Sequence, residues 1–137
     1  MRISYSLGSL LTIEQVIECA KISEKYSPDT IWIPETWGME NFTMIASVSQ
    51  KNRHSKIGSS IINIFSRSPS LIAMGAATVD TISDGRLIIG LGTSSEAIVE
   101  DFHGNDFKKP VLRMKEYVEI IKPVSYTHLT LPTICSV

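Results

Sequence analysis

The chain has 137 residues, of which 43% are hydrophobic, and it is long enough for one ordinary domain. Its 13 basic and 14 acidic residues give a formal net charge of −1 without any run of five like charges, which argues against nucleic acid and acidic membrane surfaces as partners. No segment approaches the roughly 18 apolar residues of a membrane span, and the start lacks the apolar core of a signal peptide, so the sequence predicts a cytoplasmic protein.

Short β-like runs alternate with amphipathic helical runs along the chain. In chain order the pattern predicts a strand at 2–7, a helix at 12–26, a strand at 30–35, a helix at 41–50, a strand at 56–65, a helix at 66–83, a strand at 86–92, a short helical segment at 95–102 and a helix at 110–122. Thr12 and Gln15 stand at capping-box spacing, and Asn41 is a candidate N-cap. Ser68 before Pro69 is an N-cap followed by proline at the first helical position.

Four successive βα units predict a parallel sheet. They fit either an open doubly wound sheet or part of an eight-stranded barrel, and in both folds ligands bind at the carboxyl ends of the strands. These ends fall at 6–8, 35–37, 60–63 and 92–95, where the residues are polar, small or aromatic, whereas the strand interiors are aliphatic. The sequence therefore predicts a functional site at these four segments.

The segment SDGRLIIGLGTSS (83–95) ends an apolar strand in two glycines and three hydroxyl side chains. Ser95 occupies the place where a dinucleotide-binding fingerprint needs its third glycine, and no GKS or GKT makes a P-loop. Two interpretations stay open. The segment is either a helix start whose N–H groups and hydroxyls hold an anion such as a phosphate, or a tight turn in which Ser94 or Ser95 only caps the next helix.

Several side chains near the strand ends are open to both a functional and a structural interpretation. Glu35 is either a general acid or base or a solvated or capping group, and Trp37 either stacks on a planar cofactor or packs locally. Arg67 either pairs with an anion or flanks its helix, and His103 is a loop histidine that could reach a ligand. Arg86 lies at the opposite end of its strand, on the face associated with stability.

The cysteines and histidines are scattered along the chain. Cys19 and Cys135 share no redox or metal-ligand spacing, and two cysteines this far apart do not make a disulfide framework. His54, His103 and His128 are equally far apart. The sequence therefore predicts no metal site.

Three longer segments carry a resemblance to a known family. They are IWIPETWGMENF (31–42), IGSSIINIFSRSPSLIAMGAATVDTISDGRLIIGLGTSS (57–95) and VEDFHGNDFKKPVLRMKEYVEIIK (99–122). Together they resemble the luciferase-like oxidoreductase family, in particular the branch similar to methylenetetrahydromethanopterin reductase. The resemblance implies an α/β fold, the N-terminal half of a (β/α)8 TIM barrel with about four parallel strands. It also implies that the 8-hydroxy-5-deazaflavin coenzyme F420, or FMN, binds at the carboxyl ends of those strands.

The resemblance also implies a role, by position, for residues at the strand ends. The implied catalytic residues are Glu35 and Trp37, and the implied cofactor-binding residues are Thr36, Ser60, Ile61, Asn63, Gly92, Thr93, Ser94 and Ser95. Residues 60–63 match a segment where relatives have a non-prolyl cis peptide behind the cofactor ring. Residues 92–95 match the loop near the phosphate tail, where glycines would let the backbone approach the cofactor and hydroxyls would donate to the anionic tail.

The activity implied by the resemblance is hydride transfer to or from a carbon centre. An FMN-dependent monooxygenase that uses molecular oxygen is an alternative, and a non-catalytic homologue that binds the cofactor is another. Ser6 stands where the reductase carries a carboxylate, and Trp37 stands where several relatives carry histidine. The small-molecule substrate therefore stays open, and a homodimer is expected for the full-length protein.

The last segment departs from the family pattern after Lys122. SYTHLTL (125–131) has the alternation of a strand. The whole segment PVSYTHLTLPTICSV, however, resembles a translated sequencing-adapter read-through, which implies a luciferase-like domain at 1–122 and a non-native tail at 123–137. An eight-stranded barrel takes about 250 residues, so we expect an inactive half-barrel whose exposed edges make it aggregate or dimerise.

Overall fold

The structure, a computed structural model, describes residues 2–8, 10–128 and 133–135, with side chains up to residue 123. Its elements are β1 (Ser4–Ser6), α1 (Ile13–Glu24), β2 (Thr30–Ile33), α2 (Asn41–Ser49), β3 (Lys56–Ser59), β4 (Ile62–Asn63), α3 (Pro69–Ile82), β5 (Leu87–Gly92), a π-helix (Ile98–Phe102), α4 (Pro110–His128) and β6 (Thr133–Cys135). Strands and helices alternate as the sequence predicts. No helix in these ranges combines the length and apolar character needed to cross a membrane.

All strand pairs in the sheet are parallel. β2 lies between β1 and β3, and β5 follows β3. β3 and β4 are two parts of the strand predicted at 56–65, since both pair with β5, one near each end of it. The peptide bond Ser60–Ile61 between them is a non-prolyl cis peptide, which confirms the expectation for residues 60–63.

The order of the strands decides between the two architectures that the sequence left open. Each new strand of the chain adds to the same side of the sheet, from β1 through β2 and β3 with β4 to β5, and β6 pairs with the far side of β5. A doubly wound sheet reverses this order at a switch point, whereas a barrel does not. The strand order is therefore that of a barrel.

Helices cover one face of the sheet. Ile31, Ile57 and Leu87 are adjacent across β2, β3 and β5 and are completely buried on that face. Side chains alternate along a strand, so the next residues in register, Trp32 and Gly58, lie on the opposite face. The Trp32 ring covers Gly58, where a Cβ atom would come within 2.3 Å of the ring.

Two of the three predicted helix caps are confirmed. The Thr12 hydroxyl accepts from the Gln15 N–H and the Gln15 side chain accepts from the Thr12 N–H, as a capping box requires. Ser68 caps α3, with Pro69 as its first residue. The prediction that Asn41 caps α2 is wrong. Glu40 is the cap, because its carboxylate accepts from two N–H groups of the first turn.

The carboxyl-terminal segment differs from its strand-like pattern. α4 continues past Lys122 through Pro123 to His128, so the strand-like alternation of residues 125–128 does not correspond to a strand. Alternation over so short a run does not by itself distinguish a strand from a helix. Residues 129–131 of SYTHLTL lie outside the described residues, and the division into 1–122 and 123–137 stays a prediction.

Candidate functional site

An ion pair joins the loops that follow β2 and β4. The Arg67 guanidinium donates to both carboxylate oxygens of Glu35, at 2.7 Å to Oε2 and 2.5 Å to Oε1. Both side chains are mostly buried, with 13% of Arg67 and 9% of Glu35 exposed. Two parallel hydrogen bonds between charged groups fix the relative orientation of the two side chains as well as their distance. The carboxyl ends of two neighbouring strands are therefore linked by side chains.

The Glu35 carboxylate also accepts from two backbone N–H groups. Asn41 N donates to Oε1 at 3.1 Å, and Asn63 N donates to Oε2 at 3.5 Å. A carboxylate has about four acceptor sites, and the two N–H groups together with the Arg67 guanidinium fill them. Glu35 thus has a structural role, and its predicted catalytic role stays a prediction.

Glu40 is the second anion beside Arg67. The guanidinium donates to Glu40 Oε1 at 2.5 Å and lies 5.6 Å from the centre of the Phe42 ring. Burial opposes the charge of Glu40, but hydrogen bonds from Thr43 and Phe42 and the charge of Arg67 lower its pKa overall. Hydrogen bonds from its guanidinium to Glu35 raise the pKa of Arg67 against the effect of burial. We call Glu35, Glu40 and Arg67 the Arg67 cluster.

A cleft of about 440 Å³ opens beside the Arg67 cluster, and we call it the β2 cleft. Thr36 and Trp37 line one part of it and Phe102 and His103 another. Trp37 and Phe102 are 70% and 56% exposed, so both contribute aromatic surface to the cleft. His103 packs edge to face on Phe102, with 5.0 Å between the ring centres. The sequence analysis identified three of these four residues and missed Phe102, which the helical pattern of 95–102 does not distinguish.

A second cleft, of about 360 Å³, lies at the carboxyl end of β5, and we call it the β5 cleft. It is lined by four predicted cofactor-binding residues, Ile61, Gly92, Thr93 and Ser94, and by four residues of α4, Pro110, Val111, Met114 and Lys115. The sequence analysis missed the α4 residues, because the docking of a helix decides which of its side chains reach a strand end. The predicted site residues that line a cleft are thus divided between two clefts that share no described lining residue.

The remaining predicted residues make hydrogen bonds within the chain. Ser60 N donates to the carbonyl of Ile33 at 2.8 Å, and Ser95 Oγ accepts from Ile98 N at 3.4 Å, as a capping residue does. Asn63 is buried, and its Oδ1 accepts from Phe65 N at 2.9 Å. Asn63 Nδ2 has no hydrogen-bond partner among the described residues. Within the same residues, no group of three His, Cys, Asp or Glu side chains could hold a metal ion.

Gly90 and Gly92 permit a close approach between strands. A Cβ atom on Gly90 would lie 2.3 Å from the Ser59 carbonyl oxygen, and one on Gly92 would lie 2.6 Å from Cγ1 of Ile61. In the structure, these two glycines therefore allow residues 59–61 to lie close to β5. Their approach to a cofactor stays a prediction.

Comparison with known protein families identifies the chain. The family described as luciferase-like monooxygenase matches residues 2–130. The chain belongs to the luciferase-like family. This confirms the resemblance that the sequence motifs carry.

Two curated relatives show which branch of the luciferase-like family is similar. The chain is 36% identical over 107 residues to a protein of Mycobacterium tuberculosis named as a coenzyme F420-dependent oxidoreductase, covering 78% of this chain and 31% of that protein. It is 32% identical over 106 residues to 5,10-methylenetetrahydromethanopterin reductase of Archaeoglobus fulgidus, covering 77% and 32%. The chain thus spans about a third of the length of these relatives.

Solved structures of luciferase-like proteins show the same fold. The coenzyme F420-dependent tetrahydromethanopterin reductase of Methanopyrus kandleri matches with a TM-score of 0.76 at 23% identity, covering 88% of this chain and 39% of that one. The oxygenating constituent of 3,6-diketocamphane monooxygenase of Pseudomonas putida, solved with FMN, matches with a TM-score of 0.78 at 15% identity, covering 90% and 39%. Together with the strand order, these likenesses show the N-terminal half of a (β/α)8 TIM barrel.

Proposed function

We propose that the full-length protein containing this chain is an oxidoreductase that transfers hydride to or from a carbon centre of a small molecule, using coenzyme F420 or FMN. The observation that carries the proposal is the 36% and 32% identity to an F420-dependent oxidoreductase and to a methylenetetrahydromethanopterin reductase. When bound, either cofactor supplies the hydride chemistry, and the protein supplies orientation and electrostatics.

The residues at the strand ends fit such a cofactor. Both cofactors combine a flat ring system with a phosphate-bearing tail. Trp37 and Phe102 present exposed aromatic surface in the β2 cleft, which suits stacking on a planar group. Thr93, Ser94 and Lys115 bring two hydroxyls and an ammonium group to the β5 cleft, which suits an anionic group. In the proposal these residues bind and orient the cofactor, together with Thr36, Ser60, Ile61, Asn63, Gly92 and Ser95.

Catalytic roles for Glu35 and Trp37 remain part of the proposal. Trp37 is exposed in the β2 cleft and would shield one side of the reacting groups from water. Glu35 would act through the loop that it holds in place, because its acceptor sites are already filled.

An FMN-dependent monooxygenase is the second candidate. The family description and the likeness to the 3,6-diketocamphane monooxygenase constituent favour it. The two candidates differ in oxidant, since the monooxygenase consumes molecular oxygen and the reductase does not.

The test begins with the uninterrupted gene downstream of Lys122, which decides whether residues 123–137 belong to the protein. The full-length protein is then purified, its absorbance spectrum is recorded, and F420 and FMN are titrated in separately. We expect one cofactor to bind and to be reduced or oxidised by a substrate, with oxygen consumption only for the monooxygenase. Failure to bind either cofactor contradicts the proposal, and binding without any redox turnover indicates a non-catalytic homologue.

A further inference from the structure

Arg67 is fixed from two sides. Its backbone carbonyl accepts from the Tyr117 hydroxyl at 2.9 Å, and Arg113 in turn donates to that hydroxyl at 2.9 Å. Its guanidinium donates to both oxygens of Glu35, to Glu40 and to Ser66. The backbone of Arg67 is thus held by α4, while its charge is directed at the loop after β2. Through these donors the guanidinium pairs with two anions of its own chain, Glu35 and Glu40.

The segment 60–63 is attached to the end of β2 at two points. Ser60 N donates to the carbonyl of Ile33 at 2.8 Å, and Asn63 N donates to Glu35 Oε2 at 3.5 Å. The first attachment needs only backbone. The second needs the Glu35 side chain in one orientation, and the paired Arg67 guanidinium imposes that orientation.

Removal of the cation would release this second attachment. A carboxylate that is 9% exposed and has lost its paired guanidinium is strongly destabilised, so it turns towards water where it can. Glu35 would then leave both Asn63 N and Asn41 N without their acceptor. The end of β4 and the start of α2 would loosen together.

We propose that Arg67 is a positioning residue of the cofactor site: through Glu35 it holds residues 60–63, together with the 35–37 loop, in the arrangement that receives the cofactor. The inference rests on the proposed function, which makes both segments walls of that site. In this proposal Arg67 acts through Glu35, with which its guanidinium makes two hydrogen bonds.

The first measurement requires no cofactor. Backbone hydrogen exchange of residues 60–65 is compared in the full-length protein, in Arg67→Met, which keeps the aliphatic stem, and in Arg53→Met as the matched control. Arg53 is exposed and makes no ion pair within the described part of the chain, so its loss should change nothing at the site. We expect exchange at Asn63 to become at least about tenfold faster in Arg67→Met only, because one local hydrogen-bonded unit opens.

The second measurement is the dissociation constant of F420 or FMN, whichever the wild-type protein binds. We expect this dissociation constant to be roughly 10- to 100-fold higher in Arg67→Met, because small displacements of a binding wall have effects of this size. We expect no change in Arg53→Met. Arg67→Ala with added methylguanidinium should recover affinity, whereas methylammonium at equal ionic strength should not, since only the guanidinium matches both carboxylate oxygens. A residue that merely stabilised the fold would not show this selectivity.

The two measurements separate the possible failures. If wild-type protein binds neither cofactor, the proposed function fails, while the exchange data still show whether Arg67 holds residues 60–63. Unchanged exchange and affinity in a folded Arg67→Met overturn the positioning role. Should Arg67→Met fail to fold, Arg67→Lys replaces it: the charge is kept and the paired hydrogen bonds are lost, and wild-type exchange and affinity in that variant also overturn the proposal.

Discussion

Glu35 shows at the residue scale how far a strand-end position can be interpreted from sequence. Its place at the end of a predicted strand identified it as a site residue, and in the structure it lines the β2 cleft at the carboxyl end of β2. Its partner Arg67, however, is 32 positions away. No local pattern connects the two residues, so the sequence alone left open whether Glu35 is a general acid or base or a solvated or capping group.

A substitution at Gly90 tests how closely residues 59–61 pack against β5. In Gly90→Ala the new Cβ atom would lie 2.3 Å from a backbone oxygen of Ser59, so a strand has to move. We expect a loss of about 1–3 kcal/mol in the free energy of unfolding, measured by urea denaturation. Gly38→Ala is the control: a Cβ atom there meets nothing within 4 Å, and we expect a change below about 0.5 kcal/mol. Equal losses in the two variants would contradict this account of Gly90.

At the scale of elements, Arg86 and Asp80 join the ends of α2 and α3 to the start of β5, at the end of the sheet opposite the site. The Arg86 guanidinium donates to four backbone carbonyls, those of Ser49, Asn52, Ser55 and Ser83, at 2.7–2.9 Å. Burial lowers the pKa of Arg86, and the negative charge of nearby acidic groups partly offsets this lowering. The Asp80 carboxylate accepts from Leu87 N at 3.3 Å. This agrees with the stability role expected of that face of the fold.

Asp80 gives a prediction about pH. Burial raises the pKa of Asp80 above its ordinary value of 3.8, although the hydrogen bond from Leu87 partly opposes this. The folded protein therefore binds the proton more tightly than the unfolded chain, and stability should fall as pH rises from 3.8 through the folded pKa. Asp80→Asn keeps an acceptor for Leu87 N, so we expect it to be at least as stable as wild type at pH 7, with this pH dependence removed.

Thermal unfolding of both proteins from pH 3 to pH 8 checks the prediction for Asp80. Asp80→Ala is the control, because it removes the acceptor as well as the charge. It should lose about 1–3 kcal/mol, the cost of an unpaired buried N–H group. An Asp80→Asn variant that is less stable than wild type at pH 7 would show that the charge itself stabilises the fold.

At the scale of the whole molecule, the outer edge of β1 lacks a neighbouring strand within the described residues. Among the strands of the described ranges β1 pairs only with β2. A cleft of about 630 Å³ lies next to it, with the exposed apolar side chains of Ile3, Ile22 and Tyr26 in its wall. An unpaired edge beside apolar surface favours association with another chain.

We therefore predict that this chain, when expressed without further sequence, self-associates and turns over no substrate. Size-exclusion chromatography with light scattering should show species larger than a monomer. Ile3→Lys should shift these species towards monomer, because a charge at a sheet edge opposes strand pairing. Met74→Lys, at an exposed position of α3, is the control and should have no effect. A monomer with full secondary structure would contradict the prediction.

The order of the elements, the caps at Thr12 and Ser68 and the family follow from the amino-acid sequence, because each depends on residues within a few positions of one another or on motifs in contiguous segments. The half-barrel followed only through the family resemblance, since the βα pattern alone also fits a doubly wound sheet. The pairing of Arg67 with Glu35, the division of the site into two clefts and the part taken by α4 depend on strand register and helix docking. Those contacts form between residues tens of positions apart, so a local pattern contains no record of them.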